Sequence, residues 1–275
     1  MPSGENKSDR SAWLGLIFHL LVVLALSSCA TTPWTSLVEG EPKNVVETSY
    51  MSFISSQDVC RPGWDAEVEI RWTSSVRNFS VSGYCRMLAP AYLKFIASNP
   101  LGQPIRIIAT NGKVYRDIDT VERSAVTGEL RSWAEYHDLP LNLVSRTWVD
   151  WLGGRSSSPV DKIAEIRLDS KNRGAWLSMA GADSEAIEEY ILFDWENGKI
   201  IERILLDESD QRFATLAYLE WQESDQCLYP VALSIDGFSF GGKVDLRFTD
   251  IRQSGFEPVD FNVDIPVGFK RTWLP

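Results

Sequence analysis

Apolar and polar residues alternate along most of this chain from residue 66 onward. Val68, Ile70 and Trp72 alternate with Glu67, Glu69 and Arg71, the pattern of a half-buried strand. Phe79, Val81, Gly83, Cys85 and Met87 alternate in the same way with Ser80, Ser82, Tyr84 and Arg86. Further runs follow at 92–97, 105–109 and 114–118, the last two joined by Asn111-Gly112, a strong hairpin signal. Strand patterns resume near 163–168, 175–179, 187–195 and 199–206, with Asn197-Gly198 between the last two. They continue near 213–222, 228–235, 243–249 and 261–265. Roughly a dozen short strands joined by tight turns predict an antiparallel sheet or barrel.

Two segments carry a helical period instead. Asn44 with Glu47 resembles a capping box, and Val45, Val46, Tyr50, Phe53 and Ile54 then share one face. Pro140 can open a second helix, with Leu143, Val144, Thr147, Trp148, Trp151 and Leu152 at helical spacing and Gly153-Gly154 as its stop.

The N-terminus reads differently. Lys7 and Arg10 precede an apolar run from Ala12 to Leu26, shorter than the ~20 residues of a membrane span. Leu26-Ser27-Ser28-Cys29 behind it is a lipobox, which makes Cys29 the lipidated first residue of a mature bacterial lipoprotein. Ala30, where an Asp would favour the inner membrane, is compatible with the outer one. The organisation expected is a leader over 1–28, a flexible tether over 29–43, and one folded domain over 44–275.

The net charge of −11 over 275 residues argues against a nucleic-acid partner. Most of that acidity lies after residue 150. Of the cysteines left after lipidation, Cys60, Cys85 and Cys227, the nearest pair is Cys60 and Cys85. A bridge between those two is one expectation; a buried free Cys85 on the apolar face of its strand is the other. Catalysis finds little support. His137 is the only histidine of the mature chain, and no Gly-x-Ser-x-Gly elbow or phosphate-cradling glycine loop is present. The chain is therefore expected to be no enzyme and to hold no metal and no cofactor. The apolar strand faces leave two readings: a solid core, or an incompletely filled cavity for lipid.

One stretch tips the choice. Strand residues Phe95-Ile96-Ala97-Ser98 lead into Asn99-Pro100-Leu101-Gly102. Some forty residues later come Leu139-Pro140-Leu141-Asn142-Leu143, then Trp148, Trp151, Leu152 and Gly153. The order and spacing resemble the LolB family of outer-membrane lipoprotein receptors, over roughly residues 66–155. The resemblance implies an incomplete antiparallel barrel of about 11–12 strands with short helices as a lid, shared with the periplasmic carrier LolA. It implies a lipid-anchored protein, facing the periplasm, that receives lipoprotein acyl chains from a LolA-like carrier and delivers them to the outer membrane. Pro100, Leu101 and Gly102 would form the membrane-insertion loop. Leu143, Val144, Trp148, Trp151 and Leu152 would form the lid, and Val68, Ile70, Trp72, Phe79, Val81 and Phe95 would line the cavity. Three extra cysteines and a longer, more acidic C-terminal half depart from the family. They leave open a module of this fold for another amphiphile, such as a glycolipid, or a non-catalytic envelope scaffold.

Overall fold

The computed structural model describes residues 32–274 apart from 61, 76–77, 137–147, 157, 182–186, 208, 210 and 238–241. The strands are β1 (Trp34–Leu37), β2 (Gly63–Thr73), β3 (Asn78–Leu88), β4 (Tyr92–Ser98), β5 (Pro104–Asn111), β6 (Val114–Asp119), β7 (Ser124–Glu129), β8 (Ile163–Asp169), β9 (Ala175–Ala180), β10 (Ile187–Asp194), β11 (Lys199–Leu206), β12 (Arg212–Ser224), β13 (Cys227–Asp236), β14 (Lys243–Ser254) and β15 (Lys270–Leu274). The helices are α1 (Glu41–Gln57), α2 (Leu130–Tyr136) and α3 (Trp148–Leu152). All fifteen strands form one sheet in the order β1-β8-β9-β10-β11-β12-β13-β14-β2-β3-β4-β5-β6-β7-β15. β1 and β15 end that order, so the sheet curls without closing. Every pairing is antiparallel except that of β15 with β7.

The inner face of the curl is packed by α1. Val46, Tyr50 and Phe53 are its buried residues, and the Tyr50 and Phe53 rings both contact Phe193 of β10, at 5.3 and 5.4 Å. Trp64 of β2 meets Tyr229 of β13 and Phe248 of β14 at 5.8 and 5.2 Å, which ties the two halves of the sheet together. One continuous apolar cluster joins these residues. At the foot of α1, Cys60 is disulfide-bonded to Cys227, 167 residues away.

The outer face has two coverings. Trp34 of β1 stacks on Tyr190 at 4.7 Å and meets Trp176 edge-on at 5.9 Å. Over β4 to β7, the segment from Phe256 to Phe269 lies across the sheet as a strap. Arg86 sits over the Phe256 ring, and Tyr92 contacts Phe261. Lys94 Nζ donates to the Asp260 carbonyl at 3.4 Å, and Arg116 donates to the Val263 carbonyl. Val263 joins Ala109, Ile118 and Ala125 in a small apolar cluster.

The hairpins announced by Asn111-Gly112 and Asn197-Gly198 join β5 to β6 and β10 to β11. At the first, Asn111 Oδ1 accepts from the backbone N–H groups of Lys113 and Val114. Several expectations need correction. The tether over 29–43 is not free along its length, because residues 34–37 pair with β8 and α1 begins at Glu41. Gly40 precedes that helix and Pro42 sits in its first turn, which displaces the start expected at Asn44. The run at 261–265 is no strand. It follows a 3₁₀ turn at Pro258–Phe261 and packs as part of the strap. The Cys60–Cys85 bridge does not form, because α1 carries Cys60 along the inner face to β13. Cys85 is free and buried, paired across strands with Ala66.

Candidate functional site

Strand register places the six expected lining residues on one face. Val68, Ile70 and Trp72 pair with Gly83, Val81 and Phe79, and Phe95 pairs with Cys85 of the same parity. This is the inner face, since Val68 and Cys85 belong to the main cluster and Ile70 and Phe95 pack against it.

Burial along this face is graded. Near the Gly63 end of β2, the inner residues Trp64, Ala66 and Val68 are buried, as are Cys85 and Met87 of β3. Toward the other end Ile70, Trp72 and Val81 are only half-buried, and Phe79 is 40% exposed. Trp72 and Phe79 meet edge-on at 5.2 Å. The result is an apolar inner wall that is filled at one end and open at the other.

The Asn99-Pro100-Leu101-Gly102 segment is a built turn. Asn99 Oδ1 accepts from the N–H groups of Leu101 and Gln103, both at 3.0 Å, and Gly102 N–H donates to the Asn99 carbonyl at 2.8 Å. Gly102 has φ +77°, which favours glycine. Pro100 and Gly102 are exposed, and Leu101 projects with 84% of its surface in solvent.

α3 sits differently from a free lid. Trp148, Trp151 and Leu152 pack against the main cluster. The Tyr218 hydroxyl donates to the Trp151 carbonyl at 2.6 Å, and Arg203 donates to the Arg155 carbonyl. Gly154, at φ +65°, follows the helix, and a Cβ there would collide with the Trp221 ring. Leu143, Val144 and His137 lie outside the described residues, as does Cys29.

Arg203 anchors a buried polar cluster that sequence reasoning missed. It is 1% exposed and pairs with Glu189 at 2.7 Å, and its Nε donates to Tyr218 at 3.1 Å. Burial pulls the Arg203 guanidinium down, but the Glu189 charge and the Tyr218 oxygen outweigh it and hold the group firmly protonated. Burial also raises the nearby Asp150 carboxyl and pushes Tyr50, whose hydroxyl meets that of Ser156 at 2.7 Å, to about 12. The signal was present in sequence: Arg203 shares the strand parity of buried Leu205. Chemically the cluster is a clasp that holds residues 151–156 onto β11 and β12.

At the Gly63 end, a cleft of about 260 Å³ is lined by Gln57, Arg155, Glu223, Tyr229 and the Cys60–Cys227 bridge. Among the described residues no cluster of His, Cys, Asp or Glu is arranged to hold a metal ion.

No family model and no curated protein matches the chain. Solved structures do. A domain from Vibrio parahaemolyticus named for outer membrane lipoprotein sorting is 13% identical, covers 77% of this chain and 95% of its own, and superposes with a TM-score of 0.52. A DUF1329 family protein from Desulfovibrio piger is 9% identical over 79% of this chain and 97% of its own, with a TM-score of 0.51. A LolA superfamily protein from Nitrosomonas europaea aligns at 12% identity over 77% of this chain and 96% of its own, with a TM-score of 0.49. The first two share the curled, unclosed sheet found here.

Proposed function

We propose that this chain is a LolB-like envelope lipoprotein that binds acyl chains on its inner apolar wall and takes part in delivering lipoproteins to the outer membrane. Cys29 carries the anchoring lipid. A periplasmic LolA-like carrier supplies the cargo, and no covalent catalysis is involved. The observation that carries this reading is the graded wall of β2–β4, closed by Trp64 and Met87 and open at Trp72, Val81 and Phe79. Moving an acyl chain from water onto such a wall is worth ~0.8 kcal/mol per CH₂. Exchange between this wall, a carrier and a bilayer therefore needs no ATP, because each apolar site offsets what the previous one gave up.

The test is binding of a fluorescent sixteen-carbon fatty acid to the full chain. A carboxylate on the wall has to lose water wherever an acyl chain covers it. Val81→Glu should therefore weaken binding at least tenfold and leave the melting temperature nearly unchanged, since Val81 is only half-buried. Equal binding by Val81→Glu and the parent would remove the wall from the account. Mass spectrometry of lipids that copurify with the chain identifies the amphiphile and separates lipoprotein chains from a glycolipid.

A further inference from the structure

The cleft at the Gly63 end holds two polar groups that the fold leaves unused. Gln57 is the last residue of α1, and its Oε1 accepts the Ser156 N–H at 3.1 Å. That bond fixes which end of the amide is the oxygen. Nε2, at the other end, is buried and has no hydrogen-bond partner among the described residues. The Tyr229 hydroxyl is the second group. Tyr229 is 2% exposed, and its hydroxyl also lacks a partner among those residues. Both side chains line the same cleft. A buried donor without an acceptor has lost its water for no return, and folded proteins keep few of them. Two at one cavity call for a molecule that accepts from both.

Charge narrows the class of that molecule. Arg155 lines the cleft, where its Nη2 donates to the Gln57 and Cys60 carbonyls, each at 3.4 Å. Its charge acts on the Tyr229 hydroxyl and on the buried Asp150 carboxyl. Acidic groups stand at the mouth. Glu223 is exposed and belongs to the lining, and Asp225, whose charge also acts on Tyr229, lies in the tight turn between β12 and β13. Gln253 holds that turn, its Nε2 donating to the Ser224 and Asp225 carbonyls at 3.4 and 3.1 Å. One cation against these carboxylates offers a simple anion no net attraction. A ligand that carries both charges suits the site. Its carboxylate accepts from Gln57 Nε2 and Tyr229 beside Arg155, and its ammonium meets Glu223. Phe53 and the Cys60–Cys227 bridge supply apolar surface beside them. A volume of about 260 Å³ lies below the roughly 300–1,000 Å³ of sites for drug-sized molecules, which leaves room for a ligand the size of a single amino acid.

We propose that this cleft binds a free α-amino acid with an apolar side chain, its carboxylate on Gln57 Nε2 and the Tyr229 hydroxyl, its ammonium on Glu223 and its side chain against Phe53 and the disulfide. The site lies at the filled end of the inner wall and does not depend on the acyl-chain reading.

The test is titration calorimetry of the full chain with leucine and phenylalanine. At least one of the two should bind, at one molecule per chain. Its amide, which lacks the carboxylate, and its N-acetyl derivative, which lacks the ammonium, should bind at least tenfold more weakly. Tyr229→Phe should weaken binding at least tenfold. It should leave the melting temperature of the ligand-free chain unchanged or higher, because the hydroxyl it removes has no partner to lose. Glu223 is exposed, so Glu223→Gln tests the site with little risk to the fold. It should erase the preference for the free amino acid over its N-acetyl derivative and keep the preference over the amide. Saturating fatty acid should leave amino-acid binding intact. No binding of either amino acid at millimolar concentration would overturn the proposal and leave water as the occupant. Equal binding of the N-acetyl derivative by the parent chain, or undiminished binding by Tyr229→Phe, would also overturn it. Competition by fatty acid would do so too, and would assign the amino acid to the wall.

Discussion

Two buried charges decide much of the behaviour of single residues. Arg203 is enclosed and depends on Glu189, Tyr218 and the Arg155 carbonyl for every compensating contact named above. Removing one partner of a buried pair strands the other without water. Glu189→Ala should therefore cost about 3–5 kcal/mol, read as a drop in the guanidinium midpoint; a change below about 1 kcal/mol would show that Arg203 had found solvent. Asp169 is the second case. Burial alone would raise its carboxyl, but Arg173, through side chain and backbone, and the Trp176 indole outweigh that and hold it at about 2. A carboxyl depressed below its ordinary ~3.9 adds stability that is complete above about pH 4 and is lost as pH falls toward 2, here on the order of 2 kcal/mol. Asp169→Asn should lower stability at pH 7 and flatten the acid limb between pH 4 and 2. An unchanged acid limb would mean that another group controls it.

Among the elements, those with local signals were legible in the sequence and those with distant partners were not. Alternation marks β2 and β3, and Asn-Gly turns mark two hairpins, because those interactions lie within a few residues. β1 has four residues and gains its pairing from β8, more than a hundred residues away. β15 is short and polar and pairs with β7 in parallel, so its alternation carries no apolar stripe. The disulfide is the clearest case. Sequence proximity favours Cys60 with Cys85, but α1 has to cross the inner face before Cys60 meets anything, and β13 is what lies there. Because the bridge spans 167 residues, reduction should remove about 2–5 kcal/mol of stability. It should loosen the foot of α1 first, measurable as faster amide exchange at residues 53–58. Full reduction with an unchanged guanidinium midpoint would contradict this.

At the scale of the whole molecule, the fold class and the placement of the six wall residues were readable from parity, since a single inner face fixes which alternate residues meet. The gradient from filled to open wall was not. It depends on how far α1 and α3 reach along the curl, which no strand pattern encodes. The role of α3 was also out of reach, because Arg203 and Tyr218, which hold the segment in place, lie fifty to seventy residues beyond it. The molecule thus has a polarity: an entry point and a disulfide at one end, an open wall and exposed turn tips at the other.

The strap has a consequence for how the protein is made. Arg116 and Val263, which it joins, lie 147 residues apart, so the strands of the N-terminal half-sheet are all available to pair before its outer cover follows them. During that interval Ile107, Ala109 and Ile118 face water and β7 presents an open edge, the template on which strands of other chains add. Delivery of residues 256–274 ends the exposure. Truncation before residue 256 leaves both the outer face over β5 to β7 and the β7 edge bare, and truncation after residue 269 bares the edge alone, so aggregation is the expected failure.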